Sequence, residues 1–138
     1  LEFASHYYLF HGPFWKFHQK HHLGPSNDTH LLVPFAYSIP LGITIHYSYY
    51  CFLPLKTTFS FMTGHTLSYL FFEYIHYISH RRPKYLVHIL KIPFIKELIL
   101  AHKKHHYKDG KILKDKNADF KNYGFTTLYW DKVYDSYE

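Results

Sequence analysis

Fourteen of the 138 residues are histidine, and ten of these fall into four spaced groups. His6 and His11 are five apart. His18, His21 and His22 form a His-x-x-His-His run, His76 and His80 stand four apart, and His102, His105 and His106 repeat the first run. At about 100° per residue on a helix, positions i, i+3 and i+4 lie within one arc. Each run therefore aims three imidazoles to one side, and His76 with His80 adds a pair from another helix. His6 and His11 diverge by about 140° on an ideal helix, so they need a local distortion or approach different metals. A single histidine is more often a hydrogen-bonded core or surface residue than a ligand. Ten in four groups, with one run repeated, point to metal binding instead. His30 and His88 lie outside the groups and His46 and His65 fall in uncharged stretches, so these four are expected to be structural.

The ligand count constrains the metal. Zinc usually takes four ligands, and a catalytic zinc keeps one position open. Ten imidazoles exceed the needs of one zinc and suit two metals of higher coordination number. Imidazole serves iron, zinc, copper or nickel without deciding among them. No His-Glu-x-x-His occurs, so the usual metalloprotease base is missing. A single cysteine, Cys51, excludes both a cysteine zinc ribbon and an internal disulfide framework.

The elements that must position these residues are helical. From Leu31 to Leu55 no residue is charged; Lys56 interrupts, and Thr57 to Phe72 is again uncharged. Run on to Ile78, each stretch approaches the roughly 20 residues that a bilayer span needs. Pro34, Pro40 and Pro54 are better tolerated in membrane helices than in long soluble ones, and Tyr47, Tyr49 and Tyr50 suit a polar–apolar boundary. Of 16 Lys and Arg, Lys16 and Lys20 precede the first stretch, Lys56 sits at the hairpin tip and 13 follow the second. That asymmetry predicts a hairpin over about 31–78 whose tip faces away from the cytosol. Two histidine groups precede it and two follow, so all ten meet on one, cytosolic, face. The mean hydropathy of −0.27 averages these stretches with a basic tail.

Around the hairpin, Gly24 to Asp28 has loop chemistry. Leu86, Ile89, Leu90, Ile95, Leu98 and Ile99 recur at helical spacing between lysines. They predict an interfacial helix or an ordinary amphipathic one, broken at Pro93. Lys108 to Asn122 reads as a solvated loop, and Tyr123–Tyr137 as ordered. The expected architecture is all-α, a single domain over 1–138: a membrane hairpin with a His-rich cytosolic cap holding two metals. The chain opens on Leu1 without a signal-peptide pattern and is read as part of something longer.

These residues resemble the fatty acid hydroxylase superfamily, the membrane di-iron enzymes that include sterol desaturases and fatty acid 2-hydroxylases. His6-Tyr-Tyr-Leu-Phe-His11 resembles the first histidine box. Phe17-His18-Gln-Lys-His21-His22, with Pro25, Asp28 and Leu32-Val33-Pro34 behind it, resembles the second. Tyr69 to His80 resembles the third, with Glu73 where the family usually has Asp, followed by His76-Tyr77. His102-Lys-Lys-His105-His106 resembles the last, and Tyr123-Gly124-Phe125-Thr126-Thr127 with Trp130-Asp131 resembles the C-terminal segment. The last box and its tail look closest to the fatty acid 2-hydroxylase branch, although Lys108 to Asn122 separates them by more than the family pattern leads one to expect.

The resemblance implies two iron ions, replaceable by zinc, on His6, His11, His18, His21, His22, His76, His80, His102, His105 and His106. Glu73, Tyr77 and His65 are candidates to hydrogen-bond these ligands from behind. It further implies O₂-dependent 2-hydroxylation of a fatty acid or sphingolipid acyl chain. Two electrons would come from cytochrome b5 and NAD(P)H, in the endoplasmic reticulum membrane. Alternatives are sterol desaturase or methyl oxidase chemistry and a non-enzymatic metal-binding membrane protein. No acidic or histidine path crosses the hairpin, which argues against ion transport. A pI near 9.3 raises nucleic-acid binding, but the basic residues flank the hairpin and the aromatics lie mostly elsewhere, so none is expected.

Overall fold

A computed structural model describes residues 2–24 and 31–138; Pro25, Asp28 and His30, named above, lie outside the described residues. The chain starts with α1 (Glu2–Ala4), which continues into a π-helical turn over Ser5–Phe10. Helix α2 (Trp15–Leu23) carries the first His-x-x-His-His run. Helices α3 (Phe35–Phe52) and α4 (Leu55–Arg81) then form the hairpin. Pro34 and Pro54 stand at the N-caps of these helices, where a missing N–H costs little, and Pro40 alone of the three lies inside one.

The hairpin has two unlike halves. Helix α3 has no buried residue, and α4 buries Thr58 at its start and then Ile75, His76 and Ile78 near its end. Large apolar side chains of both helices face outward, with Phe35 72 % and Phe52 84 % exposed on α3 and Phe59 61 % and Leu67 61 % exposed on α4. Hydroxyls in this region are satisfied by their own helix: Thr44 donates to the Pro40 carbonyl (2.8 Å), Ser48 to Thr44 (2.9 Å) and Ser60 to Lys56 (3.2 Å). Among the described residues no helix is long and apolar enough to cross a membrane. Tyr, Thr, Ser and His residues interleave the apolar ones along both.

Past α4 the backbone turns through Arg82 in the left-handed region (φ 44°) and Pro83. The stretch with helical apolar spacing forms a 3₁₀ turn (Lys84–Leu86), α5 (Val87–Leu90) and α6 (Pro93–His106). Pro93 does not break a helix but begins one. Ile95, Leu98, Ile99 and Ala101 of α6 bury against Ile75 and Ile78 of α4, with Leu86, Ile89 and Leu90 packed on them. The apolar side of this stretch is therefore covered by α4, as an ordinary amphipathic helix requires.

The segment Lys108 to Asn122 departs from the expected solvated loop. Asp109 and Gly110 both take positive φ (51° and 75°) and close a hairpin of β1 (Tyr107–Lys108) and β2 (Lys111–Ile112). A two-residue turn with both φ positive favours the Asp-Gly pair found here. The end of the segment goes inside: Phe120 and Asn122 are buried. Phe120 and Tyr123 join Phe3 and Trp15 in a second cluster that ties the two ends of the chain together. Helix α7 (Tyr129–Val133) follows.

Candidate metal centre

Nine of the ten expected ligands converge as two groups. One contains His21, His76, His80, His102 and His106, and the other His6, His11, His18 and His105; within each, the nearest ring nitrogens all lie within 4.8 Å of one another. His22 is fully buried between them. Its Nε2 is 3.1 Å from that of His18, and its ring centroid lies 4.3 Å from that of His106.

Each His-x-x-His-His run is split between the groups rather than given to one. Positions i+3 and i+4 point about 100° apart on a helix. His102 and His106 accordingly serve the first group while His105 turns to the second, and His18 serves the second while His21 turns to the first. The five-residue spacing of His6 and His11 is resolved by local distortion: the π-helical turn carries them to the same side, and the His11 N–H donates to the His6 carbonyl at 3.0 Å. Such i→i+5 turns are rare and recur at functional sites.

The contacts between rings follow a twofold scheme. His80–His102 (2.8 Å) corresponds to His6–His18 (3.0 Å), His76–His21 (2.9 Å) to His11–His105 (3.0 Å), and His106–His102 (3.1 Å) to His22–His18 (3.1 Å), every pair through Nε2. The scheme makes His22 the counterpart of His106. Lone pairs brought this close repel unless a cation or proton lies between them. Ring nitrogens bound about 2.1 Å from a shared metal at right angles stand about 3.0 Å apart, against about 3.4 Å in a tetrahedron. The shortest contacts are of this order and all nitrogens of a group fall within 4.8 Å, as donors to one cation would.

Electrostatics agree. Burial lowers the pKa of His6 and His80 to about 4 and that of His22 to about 3. Burial first, and the neighbouring imidazoles second, hold His18, His102, His105 and His106 well below the ordinary histidine value. Neutral rings with free lone pairs are what a metal needs. Two of the rings are oriented from behind: His6 Nδ1–H donates to the Tyr123 carbonyl and His105 Nδ1–H to the Lys121 carbonyl, both at 2.7 Å. Asn122 between them adopts φ 55°. The buried rings of Phe125 and Phe120 cover the layer, Phe125 against His6, His76 and His102 and Phe120 against His11, His22 and His105.

The fatty acid hydroxylase family profile matches residues 1–136. The chain belongs to that family. It is 26 % identical over 148 residues to the ceramide very long chain fatty acid hydroxylase scs7 of Schizosaccharomyces pombe, covering 97 % of this chain and 38 % of that protein. It is 24 % identical over 149 residues to SCS7 of Saccharomyces cerevisiae, a protein of the same name, covering 99 % of this chain and 35 % of that one. The chain thus spans well under half the length of these relatives. No solved structure matches it.

In this fatty acid hydroxylase chain the residues expected behind the ligands are engaged elsewhere. Glu73 Oε1 accepts from the Tyr69 hydroxyl (2.6 Å) and the Val33 N–H (3.2 Å). Tyr77 packs on the α4–α6 core. His65 faces His46 across the hairpin, ring centroids 5.3 Å apart. The sequence gives no sign of the backbone carbonyls of Lys121 and Tyr123, which accept from His105 and His6. Asp109-Gly110 was the available signal that the intervening segment folds back.

Proposed function

We propose that residues 1–138 form one catalytic domain of a membrane di-iron monooxygenase that 2-hydroxylates the acyl chain of a fatty acid or sphingolipid. The observation that carries this reading is the pair of buried, mutually facing imidazole groups, in a chain of the fatty acid hydroxylase family. The first group is His21, His76, His80, His102 and His106; His22 completes the second, with His6, His11, His18 and His105. Two irons bound there would supply O₂ activation, turning R–H, O₂, two electrons and two protons into R–OH and water. Zinc can occupy the same nitrogens.

The chain's own residues prepare that chemistry. Burial keeps the imidazoles neutral and available. Phe120 and Phe125 keep water from the layer, and the Tyr123 and Lys121 carbonyls fix two ring orientations. We infer that the α3–α4 hairpin sits in the bilayer as a pair, in the endoplasmic reticulum, with the histidines on the cytosolic side. Its outward apolar side chains and self-bonded hydroxyls support this. The 13 basic residues that follow the second apolar stretch suit a cytosolic face that meets a cytochrome b5-type donor fed by NAD(P)H.

Incubation of the full-length protein with a ceramide under ¹⁸O₂ tests the reaction. One ¹⁸O atom in a 2-hydroxylated product is expected. A double bond without ¹⁸O would assign desaturase chemistry, and stoichiometric metal without any oxidised lipid would assign metal binding alone. Cys51, exposed near the hairpin tip, reports topology: a membrane-impermeant maleimide should reach it from the lumenal side and not from the cytosolic side.

A further inference from the structure

Asp131 is fully buried at the heart of the C-terminal segment. Among the described residues its carboxylate takes three hydrogen bonds, none from a cation. Tyr123 N–H (2.6 Å) and the Ser136 hydroxyl (2.7 Å) donate to Oδ1, and Gly124 N–H (2.8 Å) donates to Oδ2. A buried carboxylate without a cation is costly unless charge balance comes from nearby. The Gly124 N–H belongs to the same peptide group as the Tyr123 carbonyl. That carbonyl accepts Nδ1–H of His6 at 2.7 Å. One planar amide therefore connects the carboxylate to a ring of the second histidine group. Gly124 makes the approach feasible: a Cβ there would stand 2.7 Å from Asp131 Oδ2 and collide with the Thr127 carbonyl.

Amide resonance gives this connection electronic content. A charge-assisted hydrogen bond at the N–H draws electron density toward the carbonyl oxygen, which becomes a stronger acceptor. A stronger acceptor at Nδ1–H makes the opposite nitrogen of an imidazole a better metal donor. We propose that Asp131 is a positioning residue for the metal of the second group, acting through the Tyr123–Gly124 peptide to orient His6 and strengthen its Nε2. The inference rests on the two-metal reading above. Glu2 supplies an internal contrast. Its Oε1 accepts from the N–H groups of Phe125 (3.2 Å), Thr126 (2.9 Å) and Thr127 (3.4 Å). It anchors the same loop without touching the amide that meets His6.

The test uses the full-length protein, stripped of metal and titrated with Co²⁺ while its optical d–d bands are followed. Wild type should bind two cobalt ions per chain; fewer than two would overturn the two-metal reading itself. Asp131→Asn keeps the side-chain size and removes the charge. It should weaken one binding step about 10–100-fold and leave the other unchanged. Glu2→Gln should change neither. In a His11→Ala background, which removes the second site, Asp131→Asn should leave the remaining step as it was. Equal weakening of both steps would mark Asp131 as a loop anchor, and no weakening of either would remove it from the site; each result overturns the proposal. Should Asp131→Asn not fold, Ser136→Ala still decides. Losing that donor changes the charge the carboxylate presents to the Gly124 N–H, so the second-group step should shift while the first stays where it is. Equal shifts of both steps, or no shift in either, would overturn the assignment.

Discussion

The two histidine groups reach the same pairing of nitrogens by different means. The first is built on α-helices with regular spacing, His76 and His80 on α4 and His102 and His106 on α6. The aliphatic core of Ile75, Ile78, Ile95, Leu98 and Ile99 sits among those ligands in sequence and locks the two helices together. The second group needs a π-helical turn to align His6 with His11. It is held by aromatic packing of Phe3, Trp15, Phe120 and Tyr123, and by the carbonyls of Lys121 and Tyr123. Among the described residues, Nδ1 of His76, His102 and His106 in the first group has no hydrogen-bond partner and neither has Nδ1 of His11 in the second, whereas His6 and His105 are tethered. Helix packing alone presents the α4 and α6 pairs of the first group, whereas in the second group two rings, His6 and His105, take their orientation from backbone carbonyls of the C-terminal segment.

The largest expected effect comes from removing a ligand of the rigid group. His76→Ala, His80→Ala or His106→Ala should lose metal and cut lipid hydroxylation by more than about 100-fold, beyond the usual effect of a residue behind a ligand. Metal analysis beside a product assay checks this, with His88→Ala expected to change neither. Metal retained in all three ligand variants would break the assignment of that group.

Packing should separate the groups next. Leu98→Ala opens a cavity between α4 and α6 and should cost about 2–5 kcal/mol, read by thermal melting. Phe120→Ala should cost about 3–5 kcal/mol and expose the second group's rings to water. If Phe120→Ala left that group's metal affinity unaltered, the aromatic cover would have no part in holding it.

Acid should act on both groups in the metal-free protein. Folded His6 and His80 titrate near 4 and His22 near 3 because of burial, against about 6.5 when unfolded. The unfolded chain therefore takes up protons first. Stability is fully present above about pH 6.5 and falls as pH drops toward 4, by about 1.4 kcal/mol per pH unit for each such histidine. Melting temperatures measured from pH 7.5 to 4.5 should decline over that window; a flat profile would show the rings are not neutral when folded. The smallest effect belongs to Glu2→Ala, which loosens the loop over residues 125–127 and should cost about 1–3 kcal/mol with both metals retained.

Much of this site is legible in the chain. The four histidine groups, their shared side of the hairpin and the apolar face of α6 follow from spacing, because helical periodicity is a local property. The hairpin helices are visible as uncharged stretches bounded by Pro34 and Pro54. What escapes is carried by backbone atoms. The carbonyls behind His6 and His105 have no side-chain signature, and the left-handed turn at Asn122 that accompanies them is not a glycine. Glu73, expected to bond a histidine from behind, accepts hydrogen bonds from Tyr69 and Val33.

The sequence by itself determined which residues meet, since ten imidazoles at helical or near-helical intervals on either side of one hairpin leave little freedom in what they face. Tertiary structure alone decided how they divide. The 100° between positions i+3 and i+4 sends neighbours in one run to different groups, and the choice depends on where the crossing helices lie. It also decided that His6 and His11 share a group, because the π-helical turn that aligns them lies against Phe3 and Tyr123 and is tied to the Tyr123 carbonyl, contacts made by residues at opposite ends of the chain.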